Sequence, residues 1–155
     1  MSILSALAEI GRIFSTKAAA KSTEVKAPSN IAGAFSVDSP QQNGTIYSID
    51  IKVDLKTAPA AAAYEWGSGI HATKGKAGKY PIKAKNAPEL HFFWKERSKW
   101  FMGLELPFGH PGVEKRPYLV PTIEDTKAEF KKILGQGFKA ELLMGKEKVE
   151  VIEVK

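Results

Sequence analysis

Strict alternation of side chains over residues 45–55 is the pattern that most constrains the fold. Successive side chains of a strand point to opposite faces, so a segment of this kind buries one face and leaves the other in water. The pattern therefore predicts a half-buried strand that needs a partner strand and an apolar layer beneath it. The apolar positions are Tyr47, Ile49, Ile51, Val53 and Leu55, and the polar ones are Ser48, Asp50, Lys52 and Asp54.

The segment just before this strand predicts its partner. Ala34–Asp38 has the length of a short strand, with Phe35 and Val37 on one face. Residues 39–44 are rich in turn-forming types, and Asn43-Gly44 adopts positive φ at little cost. We therefore predict a β-hairpin.

Helices are predicted near both ends of the chain. Apolar residues recur at helical spacing over residues 2–20, which indicates an amphipathic helix packed on a sheet. The polar residues 21–32 predict a linker. Thr122 is the predicted cap of a last helix, acids lie in its first turn, lysines in its last, and Gly135 follows it.

The middle and the end of the chain contain weaker signals. Ala58–Trp66 predicts a short helix that Thr57 caps and that the glycines after Trp66 end. Further strands are predicted at Tyr80–Lys85 and Glu89–Trp94, with loops at 71–79 and 95–109. The tail reads as a hairpin of 138–144 and 149–154, with a continued helix as the alternative.

These elements predict an α+β fold in which a small antiparallel sheet is packed by an N-terminal and a C-terminal helix, with long projecting loops. We divide the chain into a helix at 1–20, a linker at 21–32, a core domain at 33–135 and a hairpin or arm at 136–155. Aromatic side chains exposed on a loop are costly in a monomer, so they suggest a contact surface. The predicted contact residues are Trp66, Trp100, Phe101, Met102 and Phe108.

The charge is concentrated in the middle of the chain. The protein carries a net charge of +6, and residues 67–116 alone carry +6. Such a patch suits nucleic acid, an anionic membrane surface or an acidic partner, although solvated lysines are the simplest interpretation. The basic patch comprises Lys74, Lys76, Lys79, Lys95, Arg97 and Lys99.

Residues that would indicate catalysis or metal binding are sparse. The chain has no cysteine, and its three histidines lie far apart, so we expect no metal site and no cofactor. No run of apolar residues is long enough to span a membrane. The apolar N-terminus lacks the basic leading region of a secretory signal, while an organellar transit peptide stays open.

Three segments, taken in order, resemble one family. They are Tyr64–Ile70 (YEWGSGI), His110–Gly112 (HPG) and Arg116–Pro121 (RPYLVP), the last followed by a helix with acids at its start. This order resembles the head–tail joining proteins of tailed bacteriophages, also described as neck, tail-completion, minor tail or tail-terminator proteins. The resemblance covers about residues 33–135, and the motif positions are Gly67, Gly69, His110, Pro111, Gly112, Arg116, Pro117 and Pro121.

The resemblance implies a structural virion protein rather than an enzyme. It implies a ring of identical copies, commonly six-fold, between the head connector and the tail tube, assembled in the host cytoplasm. DNA would pass through the lumen without specific binding. Fixed φ angles at Pro111, Pro117 and Pro121 suit a subunit that repeats one geometry around an axis.

Two other functions stay open. In a nucleic-acid-binding module, basic loops interleaved with Tyr80, Trp94 and Trp100 would track and stack on a single strand. An enzyme with an unrecognised site is the second alternative. The first predicts salt-dependent binding of DNA by the monomer, whereas the ring predicts that Trp100→Ala and Phe101→Ala leave a folded protein that fails to complete particles.

Overall fold

The structure, a computed structural model, describes residues 1–68, 90–94, 99–103, 113–144 and 146–155, with 90–94 and 99–103 described by their backbone. The fold is α+β, with small antiparallel sheets and helices near both ends, as predicted. The chain forms two compact units. Met1–Trp66 and Arg116–Lys155 make the first unit, and Gly67–Lys115 make the second.

The described residues form four helices and eight strands. In chain order they are α1 (Ile3–Glu24), α2 (Ser29–Ala32), β1 (Phe35–Val37), β2 (Gln41–Asn43), β3 (Ile46–Ser48), β4 (Ile51–Val53), α3 (Ala61–Trp66), β5 (Leu90–Trp94), β6 (Lys99–Gly103), α4 (Leu119–Leu134), β7 (Phe138–Met144) and β8 (Glu147–Val154).

Helix α1 starts at a side-chain cap and runs beyond its predicted end. The Ser2 hydroxyl accepts a hydrogen bond from the Ser5 amide at 3.1 Å, which satisfies one free donor of the first turn. Ile10 and Phe14 are buried, as the helical spacing predicted. The predicted linker at 21–32 is wrong, because its first residues continue α1 and four later ones form the single turn of α2.

A Schellman motif ends α1. The Lys26 amide donates to Thr23 O at 3.0 Å, and the Ala27 amide donates to Ser22 O at 2.9 Å. This motif needs a residue with positive φ after the helix, which is usually glycine. Here Lys26 takes that position with φ of 59°, so a side chain occupies a left-handed conformation that costs energy.

Helix α1 packs on α4 as well as on strands β1 and β3. The rings of Phe14 and Phe130 lie 6.5 Å apart, and the Lys17 ammonium pairs with the Glu129 carboxylate at 2.7 Å. Residues of both helices contribute to the larger of two hydrophobic cores. Its buried members are Ile10, Phe14, Ala18, Trp66, Ile123, Phe130 and Leu142.

The predicted strand at 45–55 is interrupted. Strand β3 pairs with β2, and β4 pairs with β1, so residues 49 and 50 join two short ladders instead of continuing one. The predicted alternation is confirmed, since residues 47, 49, 51 and 53 are half-buried and residues 46, 48, 50, 52 and 54 are exposed. Leu55 departs from the pattern and is 54% exposed.

The turn of this hairpin contains fewer residues than predicted. Residues 41–43, which we assigned to a long turn, form β2, and the turn itself is Gly44-Thr45. Gly44 has φ of 63° at the first central position, where a type II′ turn requires glycine. The positive φ is therefore supplied by Gly44 alone.

A side-chain turn precedes α3. One carboxylate oxygen of Asp54 accepts from the Lys56 amide at 3.0 Å, and the other accepts from the Thr57 hydroxyl at 2.7 Å. The predicted capping role of Thr57 is wrong, because its hydroxyl serves this turn and α3 begins only at Ala61.

The C-terminal segment is a hairpin, and the alternative of a continued helix is wrong. Strand β7 pairs with β8 from Phe138↔Val154 onward, with an irregularity at Leu142/Leu143. Leu142 is 8% exposed and joins the larger core. The hairpin thus belongs to the first unit.

The second unit contains an antiparallel pair, β5 and β6, with Phe92 opposite Phe101 and Phe93 opposite Trp100. The predicted strand at Glu89–Trp94 is confirmed over Leu90–Trp94. The predicted loop at 95–109 is wrong for Lys99–Gly103, which form β6. The predicted strand at 80–85 and the loop at 71–79 lie outside the described residues.

Candidate functional site

A single carboxylate organises the start of α4. Glu65, on α3, accepts hydrogen bonds from three consecutive backbone amides. The Tyr118 and Leu119 amides donate to Oε2 at 2.7 and 2.8 Å, and the Val120 amide donates to Oε1 at 2.9 Å. Glu65 is 1% exposed, so these bonds are what satisfies the charge in the interior.

The next residue completes the start of the helix. An α-helix leaves the amides of its cap and first three residues without partners inside the helix. Here these are residues 118–121, of which three donate to Glu65 and the fourth, Pro121, has no amide hydrogen. The negative charge also lies at the positive end of the helix dipole, which favours it.

The predicted cap of α4 is wrong. The helix begins at Leu119, so Thr122 lies inside it, and its hydroxyl donates to Tyr118 O at 2.6 Å. Pro121, which we expected in a connector, stands in the first turn. Sequence reasoning placed the cap on the nearest threonine because a cap supplied by another helix leaves no mark at the helix start.

Tyr118 joins α4 to α3 a second time. Its hydroxyl donates to Ala61 O at 3.0 Å, and its side chain is 1% exposed. Burial raises the pKa of Tyr118 well above its usual value of 10.0, and the nearby negative charge of Glu65 raises it further. The phenol therefore stays protonated and keeps donating.

The backbones of the same two segments are also bonded. The Arg116 amide donates to Tyr64 O at 2.6 Å, and the Arg116 guanidinium reaches Lys26 O at 3.4 Å. We call this arrangement the motif junction. It consists of Ala61, Tyr64, Glu65, Arg116, Tyr118, Leu119 and Val120.

The motif junction brings together two of the three segments that carry the family resemblance. Tyr64–Trp66 begin the first segment, and Arg116–Pro121 are the third. Sequence reasoning missed Glu65, although one signal was available: it is the single acid between Asp54 and Glu89, in a run of alanines and aromatics. An isolated acid in an apolar helix is a candidate for a buried hydrogen-bonding role.

Within the second unit, residues near its two ends are joined by hydrogen bonds. The Ser68 amide donates to Val113 O at 2.9 Å, and the Val113 amide donates to the Ser68 hydroxyl at 2.8 Å. Gly67 has φ of 75°, which fits the predicted end of the short helix.

The predicted contact residues are placed differently from expectation. Trp66 is 7% exposed and belongs to the larger core, so its ring packs inside its own unit. Lys99, Trp100, Phe101 and Met102 lie on β6. The other predicted site residues lie outside the described part of the chain. They are Gly69, Lys74, Lys76, Lys79, Lys95, Arg97, Phe108, His110, Pro111 and Gly112.

One open groove lies in the described part of the first unit. It lies between α1 and the β1–β2 connection, and its charged members are paired, Arg12 with Glu9 at 2.6 Å and Asp38 with Lys52 at 2.5 Å. Over the described ranges, the acidic and histidine side chains form no group of three or more that could hold a metal ion.

In the same ranges, no helix combines the length and apolar character needed to cross a membrane.

Comparisons with protein-family models, with curated proteins and with solved structures found no match for this chain. The family resemblance therefore rests on the motif segments themselves. Of these, the first and the third meet in the motif junction, and the second lies outside the described residues.

Proposed function

We propose that this chain is a structural subunit of a tailed-phage neck, a tail-terminator or tail-completion protein. Identical copies would form a ring, in a six-fold arrangement, that joins the tail tube to the head connector. The observation that carries the proposal is the motif junction, because residues that produce the family resemblance are the ones that bind each other through Glu65.

A physical reason links this junction to a ring. A subunit that repeats around an axis must present its surfaces at one fixed angle, since small errors accumulate from copy to copy. At the junction, three bonds to a buried carboxylate and one proline fix the start of α4 against α3. Such a frame favours an assembly role over a flexible binding loop.

The partner contacts of this proposal lie in the second unit. Trp100, Phe101 and Met102 of β6, with Phe108, would contact a neighbouring copy, the connector or the tail tube. Aromatic anchors of this kind commonly dominate binding energy, with about 2 kcal/mol or more lost on truncation. The basic patch would face acidic partners or the lumen, where DNA passes without specific binding.

Genetics in the phage that encodes this chain tests the proposal. Deletion of the gene should give full heads and finished tails that stay apart in electron micrographs, and purified protein added to the lysate should restore joined particles. Mass spectrometry of purified virions should detect the chain at a fixed copy number. Normal plaque yield without the gene, or virions that lack the chain, would overturn the proposal.

A basic nucleic-acid-binding module is the second candidate, favoured by the net charge of +6 on residues 67–116. It predicts that the purified monomer is retained on DNA in a salt-dependent manner. Reversal of the charges of Lys74, Lys76 and Lys79 should then abolish retention. Retention that is absent at low salt would remove this candidate.

A further inference from the structure

The β2–β3 hairpin is charge-free. Residues 39–49 contain no acidic or basic side chain, although a quarter of the whole chain is charged. Residues 41–46 and 48 are exposed, while Tyr47 and Ile49 are half-buried. We call residues 39–49 the neutral ribbon.

Both edges of the neutral ribbon are open in the described part of the chain. Strands β2 and β3 form a sheet of their own, so each has one edge without a described partner strand. Proteins usually protect such edges with charged side chains, lysine above all. The C-terminal hairpin follows that rule, with Lys139 and Lys148 around Glu141, whereas the ribbon does not.

The ribbon is held to its own unit at its base, where the Ile49 side chain lies next to Gly11 of α1, and its tip is exposed. Ile46 is 69% exposed, so its apolar surface is available for contact. A two-stranded ribbon is marginally stable by itself in water, even with a favourable type II′ turn. Edge hydrogen-bonding groups that no charged side chain protects form a surface that another strand can cover.

Charge identifies the kind of partner. Nucleic acids and anionic lipids are held by lysine and arginine, which the ribbon lacks. Two copies of this chain repel each other through a net charge of +6 each. The ribbon is a surface on which two copies can meet without placing like charges opposite one another.

We infer that the neutral ribbon is a contact between copies of this chain, in which the β3 edge of one copy pairs with the β2 edge of the next. The two edges belong to different strands, so the contact is head-to-tail. Contacts of that type close into a ring when the rotation between copies allows it. The inference rests on the proposed ring, for which it names the surface that joins neighbouring subunits.

Sedimentation of the full-length chain over a range of concentrations tests the inference. The test variant combines Gln41→Lys with Ile46→Lys, which places one positive charge on each strand of the ribbon. The matched control combines Leu143→Lys with Val151→Lys, which adds the same charge to exposed positions of the C-terminal hairpin. Circular dichroism checks that both variants fold.

We expect the ribbon variant to associate at least about tenfold more weakly than the wild type, because like charges would face each other across the contact. The control should change the association less than about twofold. Hydrogen exchange gives a second measurement. Amides of residues 41–48 should become protected as concentration drives association, and those of β8 should not.

Three outcomes separate the inference from the proposed function. A wild type that associates while the ribbon variant does not supports the inference. Association that the ribbon variant retains overturns the inference and leaves the ring in place. A wild type that stays monomeric at every concentration overturns the inference too, while the proposed neck role is judged by the deletion phenotype.

Discussion

Glu65 and Pro121 lie far apart in the sequence, yet together they account for every amide position at the start of α4. The carboxylate accepts from residues 118, 119 and 120, and the proline at residue 121 has no amide hydrogen to satisfy. The usual solution is a polar side chain at the cap position itself. Here the cap residue is Tyr118, and the acceptor comes from α3.

Substitution of Glu65 tests how much this cap stabilises the fold. Glu65→Gln keeps the shape but turns an amide donor toward backbone donors, so we expect a loss of about 2 kcal/mol in the free energy of unfolding. Glu65→Ala, which leaves three buried amides without an acceptor, should lose about 3 kcal/mol or more. Urea denaturation followed by circular dichroism measures both.

The matched control for this prediction is Glu124→Gln. Glu124 is an exposed acid of α4 that pairs with Lys127, and its loss should change stability by less than about 0.5 kcal/mol. Equal effects of the substitutions at 65 and 124 would contradict the role of Glu65 as the cap.

Tyr118 should make the protein less stable at alkaline pH. Its folded-state pKa is raised, chiefly by burial, so below its usual value of 10.0 both states keep the proton and stability is unaffected. Above that value the unfolded chain loses the proton more readily, and the free energy of unfolding should fall by up to about 1.4 kcal/mol per pH unit.

Tyr118→Phe should remove this part of the alkaline decline. The variant also loses the hydrogen bond to Ala61 O, so at pH 8 we expect it to be about 1 kcal/mol less stable than the wild type. Tyr47→Phe in the half-buried ribbon position is the control and should keep the full decline. Denaturant titrations between pH 8 and 11 distinguish these variants, and an unchanged slope in Tyr118→Phe would count against the assignment.

Lys26→Gly should stabilise the protein. Lys26 holds φ of 59° in the Schellman motif after α1, and glycine adopts this conformation without the steric cost of a Cβ. We expect a gain of about 1 kcal/mol, measured by thermal or urea unfolding.

Lys26→Ala separates the backbone effect from the side chain. Alanine removes the lysine side chain but keeps the Cβ, so its stability should stay close to that of the wild type. A gain in Lys26→Ala equal to that of Lys26→Gly would assign the cost to the lysine side chain instead of to φ.

Trp100→Ala and Phe101→Ala test the proposed contacts. Both positions lie on β6, opposite Phe93 and Phe92, and the ring proposal expects each variant to fold yet fail to complete particles. Complementation of the deleted gene, scored by infectious titre, measures the effect, with Leu55→Ala as a control at an exposed position of the first unit. Full complementation by both aromatic variants would remove β6 from the contact surface.

Local patterns predicted the elements whose cause lies within a few residues. The alternation around Ile49 and the glycine after α4 both appear in the structure, because side-chain period and positive φ are local properties. The interruption between β3 and β4 was not predictable, since the same alternation suits one long ladder or two short ones. Strand β6 was missed because residues 99–103 run from lysine to glycine through consecutive apolar residues without alternation.

The candidate site was predictable only in outline. The motif segments around Tyr64 and Arg116 can be recognised in the sequence. The hydrogen bond between them is a tertiary contact, which no local spacing of residues predicts. Thr122 had the ordinary signature of a cap and Glu65 did not, because a carboxylate that reaches from another helix is invisible to a rule based on neighbours in the chain.

The hydrogen bond between the Arg116 amide and Tyr64 O also bears on how far residues 67–115 can be replaced. The polypeptide departs from the first unit and returns to it at adjoining points, which is the geometry of a tolerated insertion. A longer or shorter segment between these points would change the entropic cost of closure only slightly, since that cost grows slowly with the length of the segment. Residues 67–115 should therefore be replaceable by a segment of another length while the first unit keeps its structure.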